Sequence, residues 1–516
     1  MAETKREIER KFEFTHGDGA QGGEAGTGRR GRLPDLTGTA GITEVRAEGT
    51  VRLDAVYYDT PDRRLAAAGL TLRRRTGGHD AGWHLKLPVA PGVRDEIRAP
   101  LADTPPRALT ALVRSRVRGS GLEPQVRLGS ERVVSHLLDA RGDLLAELST
   151  DTVRAERGTA VATWTEVEVE LADGVDPALL DAVEKRFRKA GLRVSDAPSK
   201  LARALAETGA APAPAAAAEG PPEGTAGAHL LAYLREQRDA LIALDPAVRL
   251  DLPDSVHQMR VATRRLRSAL ASHRRIVDRT ATDPLREELR HLAAELGADR
   301  DREVLLERLR TRLGELPRTL VHGPVRSRLR TWNAARRSAT RRRAVAALDS
   351  PRHLALLDAL DALLADPPLR ARAARPAVRV LPKAVLRDWD RLAHRVGAAL
   401  ELEPGEERDT ALHEARKAAK RARYAAEAAA PALGKPAQRL AKAAKAVQTL
   451  LGEHRDGVVA REALHRLALQ ASDAGESAFT WGVLYGREEG VTARCERELP
   501  AVWAEAADPA LRAALT

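Results

Sequence analysis

A single cysteine, Cys495, in 516 residues leaves no room for an internal disulfide framework or a thiolate zinc cluster. A bound metal would therefore need oxygen or histidine ligands. Aromatic residues are scarce: five Tyr, four Phe and six Trp offer few platforms on which a nucleobase could stack. No run of eighteen apolar residues occurs, and the polar start MAETKREIER lacks a signal-peptide core. A soluble, cytoplasmic protein that does not enter the membrane is expected. Charge, by contrast, is plentiful, and it is unevenly shared. Residues 1 to 210 hold 33 Lys+Arg against 32 Asp+Glu, so nearly all of the net +12 lies in the remainder. A basic surface of that kind favours a polyanion.

The chain breaks at TGAAPAPAAAAEGPPEGTAG (Thr208 to Gly227), whose Pro, Ala and Gly cannot build a core and read as an extended linker. Strand patterns and turns precede it, and helical periodicity follows it. The expected division is residues 1–207, a linker at 208–226, and a helical region at 227–510 made of two units, about 227–375 and 376–510. The two units rest on a repeat. HQMRVATRRLR (His257 to Arg267) returns as HEARKAAKRAR (His413 to Arg423), and LGADRD (Leu296 to Asp301) returns as LGEHRD (Leu451 to Asp456), in the same order and at nearly the same offset. A glycine-rich stretch, His16 to Arg32, reads as a long loop after the first strand.

In the first half, EIERKF (Glu7 to Phe12), LRRR (Leu72 to Arg75), HLKL (His84 to Leu87) and TEVEVEL (Thr165 to Leu171) alternate charged with apolar residues. In a strand every second side chain shares a face, so Glu7, Glu9 and Lys11 project together, as do Arg73 with Arg75, and Glu166 with Glu168 and Glu170. One such strand is ordinarily the wet face of an antiparallel sheet. Several in order imply a charged concave interior. Rows of both signs suit a multivalent phosphate held by Lys and Arg, with carboxylates ligating Mg²⁺ or Mn²⁺.

Together with YYDTPDRRLAAAGLTLRRR (Tyr57 to Arg75), RDEIR (Arg94 to Arg98) and AELSTDTV (Ala146 to Val153), these segments resemble the CYTH domain of the triphosphate tunnel metalloenzymes over roughly residues 1 to 205. The resemblance implies an antiparallel β-barrel tunnel with flanking helices and a metal-dependent hydrolase acting on inorganic triphosphate or short polyphosphate. It assigns Glu7 and Glu9 to Mg²⁺ or Mn²⁺, helped by Asp151, Glu166, Glu168 and Glu170, with Glu7, Glu9, Lys11 and Glu168 central to catalysis. Arg52, Arg73, Arg75, Lys86, Arg94, Arg127 and Arg132 would grip the phosphates, and Lys200 would close the site from a C-terminal helix. Arg127 and Arg132 are five apart, so without a bulge only one faces inward. Glu96 and Glu147 suit salt-bridge partners as well as metal ligands, and Asp59 suits a turn. Adenylate cyclases and thiamine or RNA triphosphatases share the fold, and an idle barrel in a polyphosphate-binding or granule-targeting protein is the non-catalytic alternative.

The repeated H-x-x-R-x-x-x-[RK]-R-x-R of the second half resembles the CHAD domain, a conserved histidine α-helical domain associated with polyphosphate binding, over about residues 227 to 510. The whole would then be an α+β chain with an all-α second domain. His257, Arg260, Arg264 and Arg267 fall on one helical stripe, repeated by His413, Arg416, Lys420 and Arg423. Lys435, Arg439 and Lys442 form another. Such stripes fit a linear polyphosphate and polyphosphate granules as partners, with no specific nucleic acid expected because aromatics are few between them. The histidines read as phosphate contacts or helix-packing donors, Asp301 and Asp456 as groups that orient arginines, and Gly297 and Gly452 as points of close helix approach or helix ends.

Overall fold

Among the described residues, strand propensity and alternation are realised in nine strands: β1 (Glu3–Phe14), β2 (Glu44–Asp59), β3 (Thr71–Thr76), β4 (Gly82–Ala90), β5 (Val93–Ala99), β6 (Glu123–Leu138), β7 (Leu144–Arg157), β8 (Ala160–Leu171) and β9 (Leu192–Val194). The computed structural model describes residues 3–15, 33–209 and 220–515, with the backbone alone at residue 3, 298–302 and 335–340. The stretch His16 to Arg32, residues 210–219 of the Thr208 to Gly227 segment and the Asp301 side chain therefore lie outside the described residues. The chain folds as two units, Met1–Ala216 and Ala217–Thr516.

In the first unit the strands run β5-β4-β3-β2-β6-β7-β8-β1, and the pairing of β1 with β5 closes them into an eight-stranded antiparallel barrel, with β9 added beside β1. Closure removes sheet edges. β1 achieves it by changing partners along its length, Glu3 to Ile8 pairing with β5 and Glu9 to Phe12 with β8. Alternation then sorts the side chains. The odd residues Val167, Val169 and Leu171 of β8 face outward with Phe12, under the helix Ala178–Lys189 and its Leu179, Leu180, Val183 and Phe187. Each such burial contributes roughly 1.5–3 kcal/mol. The even residues Glu166, Glu168 and Glu170 face the lumen, as their register against Asp151, Ser149 and Glu147 requires.

One end of the lumen is apolar. Tyr57, Val126, Val153 and Trp164 meet Leu201, Ala204 and Leu205 of the helix Lys200–Glu207, which stops the barrel like a plug. Ser199 starts this helix by accepting a hydrogen bond from the Ala202 N–H at 3.0 Å. The turn between β3 and β4 depends on Gly77: its φ is +81°, and a Cβ there would lie 2.1 Å from the Arg52 carbonyl oxygen.

The second unit is helical. Its helices Ala226–Arg249 and Ser255–Ser272 have counterparts in Ala377–Leu400 and Glu406–Leu433. Arg279–Glu295 with Gly297–Gly314 corresponds to the long helix Lys435–Asp473, and Val325–Asp349 to Phe479–Ala506. The two units of the repeat begin side by side, since Ala226 N–H donates to the Arg375 carbonyl and Ala377 N–H to the Gly224 carbonyl, both at 2.9 Å. Alanine explains the close packing: Ala415, Ala419, Ala422, Ala426 and Ala429 oppose Ala437, Ala441 and Ala444 in one core that also buries Trp389. Among the described residues no helix is long and apolar enough to cross a membrane.

Candidate functional site

The lumen of the barrel is a cavity of about 490 Å³ lined from nearly every strand. β1 supplies Lys5, Glu7, Glu9 and Lys11; β3 Arg73 and Arg75; β4 Lys86; β5 Arg94, Glu96 and Arg98; β6 Arg132; β7 Glu147; β8 Glu168 and Glu170; and Lys200 enters from the plugging helix. Cations and carboxylates interlock. Lys86 Nζ lies 2.5 Å from Glu7 Oε2, Lys5 Nζ 2.6 Å from Glu170 Oε1, and Lys11 contacts Glu168. Arg132 makes a bidentate pair with Asp151 at 2.8 and 2.9 Å and reaches Glu168 at 2.8 Å.

These pairings set the protonation states. Burial alone would raise the Glu168 carboxyl, yet Lys11, Lys200 and Arg132 hold it well below the usual carboxylate range. Glu7 goes the other way: burial, aided by Glu96 and Glu170, outweighs Lys86 and raises it. Glu9 is also pressed upward by burial, but Lys11 and Lys86 bring it below its ordinary value. Burial and the neighbouring Arg73 lower the Arg75 guanidinium to about 9.

Hard oxygen donors for Mg²⁺ or Mn²⁺ are thus concentrated in the lumen. Oxygens of Asp151, Glu166 and Glu168 come within 4.8 Å of one another. Lys200 Nζ stands among them, at 3.0 Å from Asp151 and 2.6 Å from both Glu166 and Glu168. Its ammonium serves there as the counter-ion, whereas Glu9 has only Lys11, at 3.3 Å, as a close ion-pair partner among the described residues. The lumen's carboxylates could hold a divalent cation, and those whose oxygens lie closest together, Asp151, Glu166 and Glu168, are the ones that Lys200 also contacts.

Two expected phosphate ligands are corrected. Arg52 is exposed and points outward, because its neighbours Val51 and Leu53 take the inward positions of β2. Arg127 is exposed too, forming a bidentate pair with Asp54 at 2.7 and 2.8 Å, and the five-residue spacing leaves Arg132 as the inward one. Glu96 acts as a salt-bridge hub, with Arg98 at 2.5 Å, His84 at 2.9 Å, Arg73 at 3.6 Å and Lys86 at 3.7 Å. Asp59 is a turn residue that accepts the N–H groups of Thr60, Leu65 and Ala66. The strand reading missed Lys5, Arg98 and Asp80. Lys5 and Arg98 share parity with Glu7 and Glu96, so the signal was present; Asp80, which pairs with Arg75 from the β3–β4 turn, carried none.

In the helical unit the two stripes converge. Burial, with Arg416 beside it and Arg264 and Arg260 from the Ser255–Ser272 helix, lowers the Lys420 amine to about 7, opposed by Asp456. His413 is pushed down to about 4 by burial and by Lys417, Arg455 and Arg416. The repeated glycines lie beside the stripes. A Cβ on Gly297 would stand 3.5 Å from the Arg260 guanidinium and one on Gly452 3.6 Å from that of Arg416, both ordinary contact distances, so each glycine neighbours the stripe arginine of its own repeat without being required by it. Arg267 lies near Arg286 and Arg290, away from Lys420, and Arg423 turns to Glu427 at 2.9 Å and to the Tyr424 ring. Lys435, Arg439 and Lys442 are exposed on the helix face opposite Ala437, Leu440 and Ala444. His257 is half-buried at the start of the first stripe.

Comparison with known proteins follows the same division. Residues 33–205 match the CYTH domain and residues 232–465 match the CHAD domain. Two uncharacterized proteins of Mycobacterium tuberculosis, MT2285 of strain CDC 1551 / Oshkosh and Rv2226 of strain ATCC 25618 / H37Rv, are each 40% identical over 486 residues, spanning 91% of this chain and 92% of their own. Among solved structures, PptA from Streptomyces chartreusis is 22% identical, covering 54% of this chain and 99% of its own at a TM-score of 0.45. A CHAD domain from the plant Ricinus communis is 27% identical, covering 57% and 97% at 0.44. A putative adenylyl cyclase from Hippeastrum, described as having a dominant triphosphatase activity, is 18% identical, covering 39% and 95% at 0.22. With a closed barrel matching one domain, a duplicated helical unit matching the other, and full-length relatives in the same arrangement, the chain belongs to the family of proteins that join a CYTH domain to a CHAD domain.

Proposed function

We propose that the barrel hydrolyses inorganic triphosphate, or the ends of short polyphosphate, with divalent metal, and that the helical domain binds polyphosphate. The supporting observation is the composition of the lumen. Its cations (Lys5, Lys11, Arg73, Arg75, Lys86, Arg94, Arg98, Arg132, Lys200) are nearly matched in number by its carboxylates (Glu7, Glu9, Glu48, Asp80, Glu96, Glu147, Glu168, Glu170). A triphosphate brings several further negative charges, which so balanced a site accepts only with added cations. Lumen carboxylates such as Glu7, Glu9 and Glu168 would hold Mg²⁺ or Mn²⁺, which would supply the missing positive charge and electrophilic activation. The chain's own part is positioning: Arg73 and Arg132 present forked donors, and Lys11, Lys86 and Lys200 present point charges to a linear anion. Among the described residues Tyr57 is the one Phe, Trp or Tyr that lines the charged part of the cavity, Trp164 lying in the apolar end, and its hydroxyl accepts a hydrogen bond from Arg73 at 3.3 Å. That leaves little to stack a base or thiazole, which supports inorganic over nucleotide substrates.

Phosphate release from triphosphate, long-chain polyphosphate, ATP and thiamine triphosphate, with Mg²⁺ and Mn²⁺ compared, tests the reading. Triphosphate should be turned over fastest. Faster turnover of ATP or thiamine triphosphate would replace it with a nucleotide- or thiamine-directed activity.

A further inference from the structure

His454 belongs to LGEHRD, the second copy of a motif that each helical unit carries, yet neither the tunnel nor the cationic stripes use it. Its side chain is only 3% exposed, and Nε2 lies 3.2 Å from Asp409 Oδ1 and 3.3 Å from Glu496 Oε1. The three ligand atoms fall within 4.8 Å of one another and come from three helices, Glu406–Leu433, Lys435–Asp473 and Phe479–Ala506. The other oxygen of each carboxylate is already engaged. Arg461 Nη2 donates to Asp409 Oδ2 at 3.3 Å, and Arg408 Nε lies 3.4 Å from Glu496 Oε2. Asp409 and Glu496 border a cavity of about 580 Å³ that Thr492 and Arg497 also line.

We propose that Asp409, His454 and Glu496 form a binding site for a zinc-like divalent cation, separate from the metal chemistry of the barrel. The argument begins with protons. Three lone-pair-bearing atoms converge with at most one ring proton between them, so one hydrogen must serve two carboxylates, whereas a cation on Nε2 serves all three. The spacing agrees. Bonds of about 2.0–2.1 Å in a tetrahedral site place neighbouring ligand atoms roughly 3.3–3.4 Å apart, which the two His454 distances approach. A neutral imidazole with two carboxylates suits Zn²⁺ or Co²⁺ better than Mg²⁺ or Ca²⁺, which prefer all-oxygen shells. A second shell is present: Arg461 donates to the outer oxygen of Asp409, and Arg408 stands in ion-pair range of the outer oxygen of Glu496, which leaves the inner oxygens facing His454. The barrel's cluster of Asp151, Glu166 and Glu168 differs in this respect, since the Lys200 ammonium already stands among its oxygens. The cavity leaves a fourth position for water. Such an ion would tie three helices of the second unit together, one turn before His413 on the Glu406–Leu433 helix.

Titration of the full-length, metal-stripped protein with Co²⁺ tests this directly. Tetrahedral Co²⁺ with a nitrogen ligand absorbs intensely in the visible, whereas Co²⁺ in an oxygen-rich octahedral site, as in the barrel, absorbs weakly. One equivalent of the intense band, displaced by Zn²⁺, is expected. His454→Gln should abolish the band and weaken Zn²⁺ binding at least about tenfold, with the far-UV circular dichroism unchanged. If His454→Gln does not fold, Asp409→Asn and Glu496→Gln take its place, each expected to lose the band. No intense band, or a band that survives these substitutions, overturns the proposal and leaves His454 as a buried side chain in contact with two carboxylates.

Discussion

Glu7 and Glu9 stand two residues apart on one strand and are driven in opposite directions, Glu7 upward by burial and by Glu96 and Glu170, Glu9 downward by Lys11 and Lys86 against its own burial. Environments that separate two carboxylates in this way commonly mark different chemical roles. If both hold metal, Glu7→Gln or Glu9→Gln should cost at least about a hundredfold in turnover, several kcal/mol of transition-state stabilisation, while the melting temperature changes little. Turnover by either variant within a few-fold of wild type, at matched Mg²⁺, would remove it from the metal site. Lys420 offers a second residue-scale test. Its amine is lowered to about 7 by burial and by Arg416, Arg264 and Arg260, so in the free protein it loses its proton above neutrality. A polyanion would raise it again, and binding must then take up a proton. Affinity for polyphosphate should be flat below pH 7 and fall above it, by up to about tenfold per pH unit, until the pH passes the raised value in the complex. Lys420→Arg, charged throughout, should flatten this slope. Calorimetry in buffers of different ionisation enthalpy measures the proton uptake, and zero uptake at pH 8 would sink the idea.

At the scale of elements, the plugging helix Lys200–Glu207 joins two tasks, closing the apolar end with Leu201, Ala204 and Leu205 and sending Lys200 to Asp151, Glu166 and Glu168. Lys200→Met keeps the apolar stem but strands three buried carboxylates, so metal-free protein should lose about 3–5 kcal/mol of stability. Added Mn²⁺ should restore part of it by replacing the missing charge. A melt that shows no loss, or a loss that Mn²⁺ does not touch, would mean that Arg132 and Lys11 suffice. The strands of this barrel were readable from alternation because a closed barrel has one charged inside and one apolar outside, and Glu166, Glu168 and Glu170 could face only one of them. The same parity, applied to Arg52 against Tyr57, five residues on, places Arg52 outside. It says nothing of Asp80, which enters the lumen from a turn, where side-chain direction follows loop geometry rather than period. Nor does sequence spacing bring Asp409, His454 and Glu496 together. Their meeting is set by the packing of three helices, and that depends on which alanine faces oppose each other.

The molecule as a whole joins a nearly charge-balanced barrel to a domain that carries most of the net positive charge, through a Pro/Ala/Gly-rich segment at Thr208 to Gly227. If a segment of this composition serves as a spacer, a long polyphosphate captured by the second domain would raise the concentration of its ends at the first without any new contact. On the function proposed above, the captor would be the convergence of the two stripes, where Arg260, Arg264, Arg416 and Lys420 come together. Each of these cations that contacts phosphate releases counter-ions, so binding should weaken steeply with salt. Replacing Arg264, Arg416 and Lys420 with Gln, which keeps polar stems in place, should lower kcat/KM on long polyphosphate at limiting substrate by about tenfold or more, the lower end of what tethering supplies. Triphosphate, which on this reading the barrel would hold alone, should be turned over as before. The two substrates control for each other. Equal losses on both would indicate a damaged fold or a shared site, and an unchanged rate on long polyphosphate, with binding abolished, would show that the second domain captures polyphosphate for some purpose other than feeding the barrel.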